Sequence, residues 1–235
     1  MYTIDGRIRL SETDHKGKAT LPAIVNYFQD CSAFQSEDIG LGVEYLETHK
    51  KAWVLNAWQI VVEEYPNLGT KIRTGTWASG FEGIYGTRNF LMCDESGKRL
   101  AYANSVWVFM DLSKGRPARP AEEDIAPYGA EAPLEMEYAP RKIRLPEAYG
   151  SCRKEIVVAG SDIDTNEHMN NCIYIRIALD VLPQDTAFHQ VRVEYRRSAV
   201  FGDVIVPWVM EEEDRILIRL CDSEKKLFAI VEFQK

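Results

Sequence analysis

Apolar and polar positions along this chain describe the same series of elements twice. Tyr2, Ile4, Ile8 and Leu10 lie between polar neighbours, which predicts a strand over Tyr2–Leu10, followed by a polar turn at Asp14–Lys18. Leu21, Ile24, Val25, Phe28 and Cys31 then recur at helical spacing. Thr20 is placed to cap that helix, Pro22 fits its first turn, and Gly40 and Gly42 end it. Four strands are predicted next: Trp53–Glu63, Ile72–Ala78, Ile84–Cys93 and Leu100–Met110, the last rich in aromatic and β-branched residues. After residue 140 the order repeats. A strand at Lys154–Ala159 leads into a polar loop. A helix over Asn170–Leu182 follows, with Ile173, Ile177 and Val181 on one face and Pro183 as its stop. Val191–Arg197, Val204–Met210, Ile216–Cys221 and Phe228–Phe233 close the series as strands.

The segment between the two runs differs from both. Half of the ten prolines fall in Leu112–Pro140, together with six acidic residues between Glu122 and Glu137, which reads as a linker with short helical pieces. The expected organisation is therefore residues 1–111, a linker at 112–140, and residues 141–235. A strand–helix–four-strand unit occurring twice is an internal duplication by pattern. Identity between the halves is weak: Asp14 and Asp30 can be set against Asp162 and Asp180 only with a gap. The predicted class is α+β, each unit a curved antiparallel sheet around one long helix, the hotdog arrangement. Two in tandem would share one continuous sheet, which protects strand edges and enlarges the core.

The polar loop concentrates the candidate chemistry. Ser161–Tyr174 reads S-D-I-D-T-N-E-H-M-N-N-C-I-Y. If the loop is extended, alternation puts Asp164, Asn166 and His168 on one side, at the start of a helix whose free N–H groups favour negative charge. A carboxylate can take a proton or attack, a histidine can exchange protons near neutral pH, and an amide can donate to an oxyanion. The same composition also makes an ordinary capped turn.

Composition narrows the classes. Hydrophobic residues make up 46 % and charged residues 27 % of the 235, as in a soluble globular protein. No apolar run approaches a membrane span, and Met1–Leu10 lacks a signal-peptide core, so a cytoplasmic protein of bacterial type is expected, with no membrane partner. Five scattered cysteines without a C-x-x-C pair argue against disulfides or structural zinc. A net charge of −8 argues against nucleic acid as a partner.

D-I-D-T-N-E-H-M-N-N-x-x-Y, with V-E-Y-R-R at Val193–Arg197, resembles the motifs of the acyl-acyl-carrier-protein thioesterases. Thr76-Trp77, Gly97, S-V-W-V-F-M-D at Ser105–Asp111 and Arg116-Pro117 extend the likeness into the first half. The resemblance implies a tandem hotdog that hydrolyses fatty acyl thioesters of acyl carrier protein without cofactor or metal. It also implies an N-terminal half that binds the acyl chain, for which Trp53, Trp58 and Trp77 are candidates. In the plant-type pattern the second motif continues with Glu and Cys, both given catalytic roles, whereas this chain has Ser198 and Ala199. Catalysis by a cysteine there is excluded. The expected catalytic set is Asp164, Asn166, His168 and Ser198, with Cys172 a core cysteine. Glu194 lies about 13 Å before Ser198 along a strand and cannot replace the missing carboxylate.

An acyl carrier protein is acidic, so docking on this acidic chain requires local basic clusters. Candidates are Arg141-Lys142-Arg144, Arg153-Lys154 and Arg192-Arg196-Arg197, with Arg196 and Arg197 taken as substrate-binding. Alternatives are a hotdog thioesterase for acyl-coenzyme A, a non-catalytic acyl-binding protein, and a hotdog dehydratase, which would draw its carboxylate from another element. A fused sheet needs no second chain and is compatible with a homodimer.

Overall fold

The structure is a computed structural model and describes residues 1–184 and 186–235. In chain order the elements are β1 (Tyr2–Arg7), α1 (Leu21–Asp38), α2 (Val43–His49), β2 (Lys51–Val62), β3 (Lys71–Glu82), β4 (Tyr85–Asp94), β5 (Arg99–Asp111), β6 (Arg116–Pro117), α3 (Glu122–Ile125), β7 (Ser151–Cys152), β8 (Ile156–Val157), α4 (Asn171–Asp180), β9 (Gln190–Tyr195), β10 (Val204–Glu211), β11 (Arg215–Cys221) and β12 (Leu227–Gln234). They form two compact units, Met1–Asn56 with Ile60–Tyr138, and Ala57–Gln59 with Ala139–Lys235.

In the first unit the strands run β1-β3-β4-β5-β2, with β1–β3, β3–β4 and β4–β5 antiparallel. Thr20 caps α1 by accepting the Ala23 N–H at 3.2 Å, and Pro22 sits in its first turn, as the pattern predicts. Phe28 of α1 packs on Phe90 of β4 with ring centroids 5.2 Å apart, both fully buried. In the second unit the order is β9-β12-β11-β10-β7, with β8 also pairing β10. Its helix, α4, is capped by Asn170, whose Oδ1 accepts the Cys172 N–H at 2.9 Å. Ile175, Ile177 and Ala178 bury its apolar face.

Three departures from the sequence reading have physical reasons. The stretch after Gly42 forms α2, seven residues that are too few for periodicity to reveal. Helix α4 ends at Asp180, two residues before Leu182, and is shorter than the 18-residue α1. Of the strand expected at Lys154–Ala159 only the two-residue β8 forms, and a second two-residue piece, β7, lies before that range, separated from β8 by Arg153–Glu155.

Segments without regular structure lie across each sheet and must have their backbone groups satisfied by side chains. In the first unit the Trp77 indole N–H donates to Ala132 O at 2.9 Å, and Asn89 Oδ1 accepts from Leu134 N and the Tyr138 hydroxyl. In the second, Glu194 accepts the Ile143 N–H at 2.9 Å, Gln59 accepts the Ala139 N–H, and Arg219 donates to Pro146 O and Tyr149 O. Arg192 donates to Pro140 O and pairs with Glu232 at 2.6 Å. This explains why Asn89, Arg192, Glu194, Arg219 and Glu232 are buried in a β-sheet.

Candidate active site

The residues Asp164–His168 form a tight turn, not an extended segment. The Asp164 N–H donates to His168 O at 2.8 Å, and the Glu167 N–H to Asp164 O at 3.1 Å. Asp164 Oδ1 accepts the Asn166 N–H at 2.8 Å, the Asx turn favoured by aspartate. Glu167 is held at φ 60, in the left-handed region that favours glycine. The turn brings Asp164, Asn166 and His168 together on one short stretch: the carboxylate half-buried, the amide and imidazole exposed. Among the described residues the His168 ring makes no hydrogen bond, so Asp164 does not orient it.

The turn is fastened on three sides. Asp162, which precedes it, is buried: it accepts the Ala159 N–H at 2.9 Å and pairs with Arg176 of α4 at 2.7 Å. Asn170 donates its N–H to Asp162 O at 2.9 Å. Met169 donates its N–H to Ala199 O at 2.8 Å, and the Ala199 N–H donates to the Tyr174 hydroxyl at 2.8 Å. Tyr174 and Tyr195 meet edge-on at 5.4 Å, and Tyr195 donates to Asn171 O at 2.9 Å. Burial pushes the Tyr174 phenol up to about 12 and the Tyr195 phenol well above its ordinary value, so both serve as neutral hydrogen-bonding groups.

These fastenings put Ser198, one residue before Ala199, beside the turn, with its side chain exposed. Ala199 itself is fully buried. At the helix start, Asn170 and Cys172 spend their N–H groups on Asp162 O and the Asn170 side chain. The Asn171 N–H is left without a protein acceptor among the described residues, available to a developing oxyanion. Side-chain patterns did not reveal this donor, because it is main chain. Cys172 is buried, and burial pushes its thiol up to about 12, so it is a core cysteine and no nucleophile. Among the described residues no cluster of His, Cys, Asp or Glu could hold a metal ion.

The remaining candidates are dispersed. Glu194 is spent on Ile143 and on Arg196, at 2.9 Å each. Arg192 is buried against Glu232 and cannot join a docking cluster. Arg196 and Arg197 are exposed just after β9, Arg197 bonding Asp222 at 2.7 Å. Trp53 of β2 packs on Phe109 and Phe81 at 4.9 and 5.7 Å, while Trp58 is buried. Trp77, through Ala132, holds the segment across its sheet. A cavity of about 710 Å³ beyond the end of α4, lined by Leu182, Phe188, Val209 and Ile216, includes none of the candidate catalytic residues.

The first unit contains the same loop in the same backbone. Asp14 N–H donates to Lys18 O at 2.8 Å, Asp14 Oδ1 accepts Lys16 N–H at 2.8 Å, and Gly17 N–H donates to Asp14 O at 3.0 Å. Thr20 N–H donates to Glu12 O at 2.9 Å, and Ala19 N–H to Pro66 O at 2.8 Å, matching Asn170 to Asp162 and Met169 to Ala199. Asp14 is thus the counterpart of Asp164, and no gap separates it from the pairing of Asp30 with Asp180. This corrects the gapped match of Asp14 with Asp162.

The family model of the Acyl-ACP thioesterase N-terminal domain matches residues 1–128, and that of the C-terminal domain residues 147–228. The chain belongs to the acyl-ACP thioesterase family. A palmitoyl-acyl carrier protein thioesterase from Cuphea hookeriana is 29 % identical over 209 residues, which cover 81 % of this chain and 50 % of that one. The chain spans about half the length of the curated relatives it matches. An acyl-ACP thioesterase structure from Bacteroides thetaiotaomicron superposes with a TM-score of 0.89 at 25 % identity, covering 99 % of this chain and 96 % of that one. The 12:0-ACP thioesterase from Umbellularia californica superposes with a TM-score of 0.87 at 18 % identity, over 99 % and 96 %, and shares the fold. The fold is the α+β tandem hotdog expected from the sequence.

Proposed function

We propose that this member of the family hydrolyses the thioester of fatty acyl-[acyl-carrier protein], giving the free fatty acid and the carrier thiol. The observation that carries the reading is the pair of loops. They have one backbone, yet the second alone joins a half-buried carboxylate, an exposed amide and imidazole, and the free Asn171 N–H. Asp164 has one oxygen fixed by the Asn166 N–H, and the other takes the proton of an attacking water or attacks the carbonyl carbon itself. The Asn171 N–H and the Asn166 amide receive the oxyanion, and His168 protonates the leaving thiolate. With Asp164 as base, water adds to the acyl carbon and the C–S bond breaks. With Asp164 as nucleophile, the C–S bond breaks to leave an acyl-aspartyl anhydride, which water then opens at the aspartyl carbon. In both the proton ends on sulfur. Ser198 is assigned to hold water beside the turn, since a hydroxyl can donate and accept but does not titrate near neutral pH. Trp53 is assigned to acyl-chain contact.

Thiol release from acyl-acyl-carrier-protein by the wild type and by Asp164→Asn tests the proposal. Turnover in the wild type that collapses in the variant is expected, and equal turnover in both would overturn it. Single turnover in ¹⁸O-labelled water separates the two roles of Asp164, because only nucleophilic attack leaves label in its carboxylate. A preference for coenzyme A thioesters would replace the carrier with the rival substrate.

Among the described residues no helix is long and apolar enough to cross a membrane. All five cysteines are free, which supports a reducing compartment and the cytoplasmic location expected from the sequence.

A further inference from the structure

The surface beside the second loop carries side chains that hydrolysis leaves unused. Val157, Val200 and Phe201 are 61 %, 44 % and 72 % exposed. Val200 and Phe201 lie in the turn closed by the Asp203 N–H on Val200 O at 3.1 Å, and Gly202 N–H donates to Val158 O at 3.0 Å. Val157 pairs with Val204 just after that turn. The turn follows Ala199, which accepts the Met169 N–H, so it is attached to the candidate catalytic loop itself. Arg196 and Arg197 lie before it, separated from it by Ser198 and Ala199, with side chains 44 % and 45 % exposed.

The fold does not require these residue types. In the first unit the same turn is closed by Thr70 N–H on Asn67 O at 3.0 Å, and Gly69 N–H donates to Ile8 O at 2.9 Å. Arg196 and Arg197 both donate their N–H groups to Phe228 O, as Glu63 and Glu64 both do to Leu100 O. By this match Arg7, Asn67 and Leu68 stand where the second unit has Val157, Val200 and Phe201, and Glu63 and Glu64 stand where it has Arg196 and Arg197. One scaffold thus carries two glutamates, paired with Arg99 and Lys98, beside a mostly polar turn in one copy, and two arginines, paired with the buried Glu194 and with Asp222, beside an apolar turn in the copy with Asp164 and His168. A large exposed aromatic flanked by arginines has the composition of a binding hot spot, not of an idle surface.

We propose that Val157, Val200 and Phe201, with Arg196 and Arg197, form the docking surface for the acyl carrier protein. The inference rests on the thioesterase reading above. This chain and an acyl carrier protein are both acidic, so their overall fields repel. A local basic patch around an apolar knob is the arrangement that overcomes that repulsion and fixes orientation. It would seat an acidic helical face of the carrier and lead its thioester arm to Asp164.

The test is the ratio of kcat/KM for one acyl chain presented on acyl carrier protein and on N-acetylcysteamine. In Phe201→Asp the ratio falls about tenfold or more, through KM for the carrier-linked substrate. Leu68→Asp, the same change on the first unit's turn, leaves the ratio where it was. An equal change on both substrates in Phe201→Asp, or none on either, overturns the docking surface. A wild type that hydrolyses neither substrate overturns the thioesterase reading instead. In that case direct titration with holo-carrier decides the surface: binding about tenfold weaker in Phe201→Asp supports it, and unchanged binding overturns it.

Discussion

The loops at residues 9–20 and 159–170 use one set of fastenings for two purposes. Glu12 and Asp162 both accept the N–H three residues before them, and Asp14 and Asp164 both hold an Asx turn. Thr20 and Asn170 both cap the helix that follows. The side chains between these fastenings differ: exposed Lys16 and half-buried Lys18 in the first loop, exposed Asn166 and His168 in the second. Folding is governed by the capping positions, which both copies keep. The proposed chemistry adds Asn166 and His168, at positions the fold leaves free to differ, to an aspartate that both copies keep for the turn. A carboxylate in such a turn is therefore no evidence of catalysis in itself, since Asp14 has the same turn geometry as Asp164.

The largest effect should come from Asp164→Asn. Asparagine keeps the acceptor for the Asn166 N–H, so the turn survives while proton transfer or attack is lost. Turnover on acyl-acyl-carrier-protein is expected to fall by about 10²–10⁴, with little change in Tm. Asp14→Asn, the same change in the other copy, should leave turnover intact. A comparable fall in both variants would mean that the turn, and not the carboxylate at position 164, sets the rate.

His168→Lys, which writes the first loop's residue into the second, removes the imidazole but keeps a polar, exposed side chain. A fall in turnover of about 10²-fold is expected, and full activity would remove His168 from the mechanism. The third effect is on stability. Arg176→Ala leaves the buried Asp162 carboxylate without its partner, although the arginine itself is 46 % exposed and solvent weakens the pair. A loss of about 1–3 kcal/mol, read by denaturant unfolding, is expected after that discount. In the first loop Glu12 bonds the Tyr27 hydroxyl at 2.9 Å, so Tyr27→Phe should cost less, about 1 kcal/mol.

Much of this architecture was legible because it rests on periodicity. Helix α1, its Thr20 cap and the long strands follow from apolar spacing, and the repeat emerges from their order. What was not legible depends on partners distant in sequence. Arg192 read as part of a basic docking cluster, yet it is buried because the segment after Tyr138 needs donors for its carbonyls. The spacing of Asp164, Asn166 and His168 suggested an extended loop. The actual turn arises because aspartate can fold its carboxylate onto the N–H two residues on, which competes with extension. Ser198 was visible only as a departure from a family pattern. Its position beside the turn depends on the Met169 to Ala199 hydrogen bond, which no local pattern encodes.

The smallest effect concerns position 167, where the comparison can be inverted. Glu167 has φ 60, and its counterpart Gly17 has φ 72. The left-handed conformation costs a side-chain-bearing residue about 1–2 kcal/mol, partly offset by the greater freedom glycine loses on folding, about 0.5–1 kcal/mol. Glu167→Gly should therefore stabilise the protein slightly, by about 0.5–1 kcal/mol, and Gly17→Glu should destabilise it by a similar amount. If strain at Glu167 also holds Asp164 and His168 in place, Glu167→Gly raises Tm while lowering kcat, and Gly17→Glu lowers Tm without touching kcat. A raised Tm with unchanged kcat would mean that the fastenings at Asp162, Met169 and Asn170 position the turn by themselves.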